Sequence, residues 1–373
     1  MKPTPTDAAR YQYFPTSYAQ GRAWFEAAIA AAGGYAERHL QPNSTGPDGE
    51  SLSIGFGWIG AQDASRVYVS ICGTHGQEYF CGAAGQLAWL DSKGPETLPK
   101  DVALAFIHAL NPYGAAYFSR CNADFVDLNR NYRDMSVPLR KIPLFEIVAA
   151  ALQTKGMSPS GFYEILETFN KLLENNDKAK VMDALAGGQS IYPSHIAYAG
   201  KQRAWEIQTL DDLLRTHFQK ARKVAIIDWH TGLGPNGAAT PINSLQPQTQ
   251  AYDMAQSWWA KPAEISALYD SGAEPDIIGL VCEGAAQTLR SLGADVIETV
   301  IELGTVNNDA IIPAFLIDRW LRFECDDRQS PDAVELKTIM MERYSPSLPE
   351  WRASVLAEMQ AVYDRVVAGL TSW

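Results

Sequence analysis

The sequence is poor in the features that mark several whole classes of protein. It has five cysteines in 373 residues, Cys72, Cys81, Cys121, Cys282 and Cys325, and no two form a CxxC pair. An odd, scattered set excludes a disulfide frame and reads as the reduced thiols of a cytoplasmic protein. No run reaches about 18 apolar residues, the length a spanning helix needs, so no membrane partner is expected. The opening stretch, residues 1–7, lacks the apolar segment of a secretory signal. Positive charge is also scarce. Lys and Arg number 31 against 43 Asp and Glu, a net of −12. With no basic cluster to meet phosphates, general nucleic-acid binding is excluded. Internal repeats and low-complexity tracts are missing as well.

What remains is an ordinary globular composition, 46% hydrophobic and 20% charged. Short runs rich in Val, Ile and Phe predict strands at 51–58, 66–72, 102–110, 223–229 and 295–303. A helical pattern at 79–90 lies between the second and third of these, which makes a right-handed βαβ unit. A helix is expected over 17–40, ending near Gly33 and Gly34, with a loop over 41–50. Another is expected at 284–292. Residues 135–220 are mostly helical in pattern, at 143–154, 161–175, 178–186 and 204–220, and residues 313–373 read as helical too. The expectation is one α/β domain over 1–373 with a helical insertion at about 135–220.

Six histidines make a search for chemistry short: His39, His75, His108, His195, His217 and His230. Two of them follow apolar strands, and ligands bind beyond the carboxyl ends of strands in α/β sheets. His75 lies in Thr74-His75-Gly76-Gln77-Glu78, and His230 in Asp228-Trp229-His230-Thr231-Gly232. His75, Glu78 and His230 together make two imidazoles and a carboxylate, the donor set of catalytic zinc with an open fourth position. Taken singly, His75 and Glu78 also read as an exposed histidine with a helix-capping glutamate. His39 reads as closing a helix, where a cation suits the dipole. His108 reads as a hydrogen-bonded core residue, and Trp258 and Trp259 as packing.

A third strand end leads into Asn111-Pro112-Tyr113-Gly114, then Arg120, then Asp127-Leu128-Asn129-Arg130-Asn131. These are turn residues and exposed arginines on one reading. On the other, the planar fork of arginine binds a carboxylate in bidentate fashion beside the metal. Last, Glu298 and Glu302 lie four apart in a β-rich run and share one strand face. Either could exchange protons with a zinc-bound water, and a solvated face is the alternative.

These strings, in this order from residue 73 to residue 305, resemble the zinc metallocarboxypeptidases of the funnelin type. That superfamily includes the cytosolic carboxypeptidases and the related aspartoacylase and succinylglutamate desuccinylase enzymes, and the resemblance is to a bacterial branch near them. It implies a mixed, mostly parallel twisted sheet between helices. It implies one Zn2+ held by His75, Glu78 and His230. Arg120 would stabilise the oxyanion, Asn129 and Arg130 would hold the substrate's free carboxylate, and Glu302 would be the general base. The substrate implied is a small peptide or an N-acyl amino acid with a free carboxylate. An N-acyl amino acid deacylase and a metal-binding module without catalysis are the other readings, with a purely structural protein behind them. A substrate-contacting tyrosine ahead of the glutamate has no matched string; Tyr252 and Tyr269 are available.

Overall fold

The computed structural model describes residues 13–242, 249–259, 277–305 and 314–373. Seven strands form one twisted sheet in the order β1-β2-β4-β3-β5-β7-β6. They are β1 (Tyr35–Thr45), β2 (Ser51–Ile59), β3 (Arg66–Cys72), β4 (Val102–His108), β5 (Lys223–Gly232), β6 (Ala239–Ile242) and β7 (Asp295–Gly304). The four central strands β4, β3, β5 and β7 are parallel; β2 and β6 run against them, and β1, antiparallel to β2, points the same way as the centre. The fold is therefore α/β with a mixed, mostly parallel sheet between helices, as the resemblance implies.

The central strands are apolar on both faces because helices cover both. Along β4, Val102, Leu104 and Phe106 face one core, and Ala103, Ala105 and Ile107 face the other. The first core is closed by helices Tyr18–Ala31, Tyr79–Leu90 and Pro349–Ser372. The second is closed by Trp205–His217 and Val281–Ser291. A third core is separate from the sheet. It joins helices Phe145–Ala151, Pro159–Asn175 and Lys178–Ala186 to Ala314–Phe323 and Pro331–Tyr344. The helix expected at 204–220 thus packs on the sheet, while the other three expected in the insertion build this satellite.

Two expectations fail at the sheet's edge. The first helix stops at Ala31, and Gly33 turns the chain at φ +68. Residues 35–45 are strand β1, not helix and loop. His39 accordingly pairs with Ile54 in a ladder instead of closing a helix. The reason is that β1 is an edge strand with charged, half-exposed side chains, so its alternation carries no apolar signal. Its pairing breaks between Leu40 and Thr45, where Pro42 lacks a donor and Asn43 is left-handed, φ 54. The short strand β6 carried no signal either.

Helix Trp205–His217 buries Glu206, which accepts from Gln41 Nε2 at 3.1 Å and Asn122 Nδ2 at 3.0 Å. Burial raises its pKa from 4.5 to about 7. A raised folded pKa contributes stability that is present below about pH 4.5 and lost as pH rises through about 7. The shift bounds the loss at about 3 kcal/mol. Urea unfolding at pH 5 and pH 8 should therefore show a falling stability, with a smaller fall in Glu206→Gln. An equal fall in both proteins would contradict this.

Candidate active site

The parallel strands end on one side of the sheet, and the chemistry sits there. After β3, Gly73 turns with φ +73 into Thr74 and His75. A Cβ on Gly76 would fall 1.9 Å from the carbonyl carbon of Gly114, so only glycine lets this turn pack on helix Pro112–Tyr117. The single 3-10 turn Gly76–Glu78 then brings His75 and Glu78 to one side. His230 arrives from β5, in register with Glu302 on β7.

The two histidines and Glu78 converge and are all buried. His75 Nδ1 lies 2.9 Å from Glu78 Oε1, and His230 Nδ1 lies 3.0 Å from Glu78 Oε2. The two Nδ1 atoms are 3.1 Å apart. Each ring turns its other nitrogen to an aspartate. His75 Nε2 is 3.2 Å from Asp127 Oδ1, and His230 Nε2 is 2.9 Å from Asp228 Oδ2, off the line of an ideal hydrogen bond. Thr74 Oγ1 donates to Asp228 Oδ1 at 2.8 Å. A carboxylate on Nε2 holds the proton there and leaves Nδ1 as a lone-pair donor. Two lone pairs and a carboxylate at these separations suit a cation. Tetrahedral zinc with bonds of about 2.0–2.1 Å keeps its donor atoms roughly 3.3 Å apart, close to what is found. Burial works against charge on His230 and Glu78, but it is outweighed. Asp228 and Glu78 hold His230 well above its usual pKa, and the two histidines hold Glu78 below the usual carboxylate range.

Arg120 stands beside this cluster. Its Nε donates to Asp127 Oδ2 at 3.0 Å, and its Nη1 lies 3.2 Å from His75 Nδ1. Asp127 also accepts from Asn129 N at 3.0 Å, so one buried carboxylate joins His75, Arg120 and the 128–130 turn. Asn129 Oδ1 accepts from Val281 N at 2.8 Å and caps helix Val281–Ser291. Arg130 gives Nε to Ala186 O at 2.6 Å and Nη1 to Asn129 O at 2.7 Å. Burial lowers the Arg130 pKa to about 10. The two glutamates of β7 part company. Glu298 pairs with Arg290 at 2.6 Å, away from the histidines. Glu302 accepts from Leu233 N at 3.3 Å beside His230, and burial together with Glu78 pushes its pKa up to about 7.

Residues 14–358 match the model of the family described as protein of unknown function (DUF2817). The chain belongs to the DUF2817 family. No curated protein matches it by sequence. Its fold is similar to several solved structures at low identity, two of them carboxypeptidases by name. Against thrombin activatable fibrinolysis inhibitor (TAFI), identity is 13% and the TM-score 0.44, over 92% of this chain and 76% of that one. For a metallo-carboxypeptidase from Burkholderia cenocepacia the values are 12% and 0.43, over 93% and 70%. For the carboxypeptidase A of Helicoverpa armigera they are 12% and 0.42, over 87% and 73%.

In this DUF2817 member, His75, Glu78 and His230 are the one group of three such side chains, among the described residues, close enough together to hold a metal ion. His108 lies in the core, bonded to Tyr79 and Gln86. Trp258 and Trp259 are core packing. Tyr252 lies on helix Gln250–Trp259, and Tyr269 lies outside the described residues. Sequence reasoning missed the two outer aspartates. Asp228 was findable, since it precedes His230 by two on one strand and so shares its face. Asp127 lies 52 residues from His75 in the chain, and nothing in its own string signals that contact.

Proposed function

We propose that this protein is a zinc-dependent hydrolase that cleaves an amide bond next to a free carboxylate, in the manner of a metallocarboxypeptidase. The observation that carries the reading is the convergence of His75, Glu78 and His230 beside Glu302 and Arg120. The donor atoms of the first three lie within 4.8 Å of one another. Zinc bound there would supply Lewis acidity and bring the pKa of a water toward about 7. Glu302 takes the proton of the attacking water and returns it to the leaving amine. Arg120, its Nε fixed by Asp127, turns its Nη edge to the developing oxyanion. Asn129 and Arg130 receive the substrate's carboxylate, and the bonds of Arg130 to Ala186 O and Asn129 O fix the plane of its fork. No described helix is long and apolar enough to cross a membrane. The five cysteines are free and four are buried, which supports a cytoplasmic place of action.

The experiment is a substrate panel. Zinc-loaded protein is given short peptides with free C-termini, the same peptides amidated, and N-acyl amino acids. Hydrolysis next to the free carboxylate is expected, abolished by chelation and restored by zinc. Release of acyl groups alone would make the enzyme a deacylase of the aspartoacylase type. No hydrolysis of either set with zinc bound would contradict the proposal and leave a metal-binding module. In Arg130→Ala, KM for carboxylate-bearing substrates should rise about tenfold or more, as loss of a charge-assisted pair predicts. An unchanged KM would remove Arg130 from the substrate site.

A further inference from the structure

The satellite of helices does not stop at the edge of the sheet. Phe315 and Asp318 lie three apart on helix Ala314–Phe323, on one face, and both are buried. Asp318 Oδ2 accepts from Arg120 N at 2.7 Å and from Ser119 Oγ at 3.0 Å. The ring of Phe315 lies under the Arg120 guanidinium, 4.3 Å from its central carbon. On the other side of the residue, Asn111 Nδ2 donates to Arg120 O at 3.2 Å. Phe315 itself belongs to the core that unites the insertion with helix Pro331–Tyr344. Burial raises the Asp318 pKa to about 6, a cost that a purely packing position would not carry.

Asp127 holds only the Nε of Arg120, and Glu78 Oε1, 3.7 Å from its Nη1, competes for the Nη edge. A loosened guanidinium would settle bidentately on these carboxylates and lose its aim at the oxyanion. We propose that the helical satellite aims Arg120, and that Phe315 and Asp318 are the positioning residues through which it acts. This rests on the hydrolase reading above.

The test uses the full chain. In Asp318→Ala, kcat should fall roughly tenfold to a hundredfold, the range expected for a misplaced group, with KM within about twofold and zinc content unchanged. Asp318→Asn keeps an acceptor for Arg120 N–H and should recover most of the loss. In an Arg120→Lys background, Asp318→Ala should cost nothing further. Additive losses would overturn the proposal, because a general structural role acts whatever stands at 120. A second readout needs no turnover. The Arg120 Nε–H signal of the 15N-labelled protein, assigned by its loss in Arg120→Lys, should broaden or shift in both Asp318→Ala and Phe315→Leu. An unchanged signal in both would also overturn the proposal. If Asp318→Ala fails to fold, Phe315→Leu decides. If wild-type protein hydrolyses nothing, the proposed function fails, while the Nε–H signal still judges the clamp.

Discussion

Glu302→Gln is expected to abolish turnover while zinc stays bound. Proton transfer by a placed carboxylate contributes about 10²–10⁴-fold, and no other described carboxylate stands ready to replace it. Glu78 is committed to both histidines and to Thr231 N, Asp127 to His75 and Arg120, and Asp228 to Thr74 and His230. The amide keeps the shape and an acceptor for Leu233 N. It also removes a buried carboxyl that sits against Glu78. Stability should therefore hold or rise. Single-turnover assays, zinc analysis and a melting curve on one preparation separate these effects. Hydrolysis at the wild-type rate would sink the assignment of Glu302, whereas loss of zinc would mean that the residue serves the metal.

The second large effect is expected from His230→Ala. The change removes one Nδ1 donor and strands Asp228 and Glu78, both buried. Zinc affinity should fall by more than the roughly 100-fold that outer partners of metal ligands already cost when lost. Turnover at ordinary zinc concentrations should vanish with it. The metal-free variant should also be less stable than the metal-free wild type. Breaking one side of a buried ion pair costs about 3–5 kcal/mol. Titration with a chelating dye gives the affinity, and denaturant unfolding gives the stability. An unaltered zinc affinity would take His230 out of the donor set.

The parts that were legible in the sequence share one cause. Strands buried on both faces write near-continuous apolar runs, so β3 stands at Arg66–Cys72, where the pattern puts it. Motifs that follow such strands inherit their place from the topology. That is why the sequence alone pairs His75 with His230, 155 residues away. The illegible parts are those in which a partner decides. Strand β1 is built on pairing with β2 alone, and its charged exposed side hides the alternation. Asp318 reads as an unremarkable helix residue, because its task is set by the backbone of Arg120, 198 residues away. The shared strand face of Glu298 and Glu302 leaves both open, and only the resemblance favours Glu302; in the structure Arg290 occupies the first, and His230 stands in register with the second.

The central claim is that His75, Glu78 and His230 hold one zinc ion. The direct measurement is the metal content of the purified protein by mass spectrometry, beside that of His230→Ala prepared identically. One zinc per chain is expected in the first and almost none in the second. Wild-type protein that takes up no zinc even when it is supplied, or a variant that retains a full equivalent, would contradict the account.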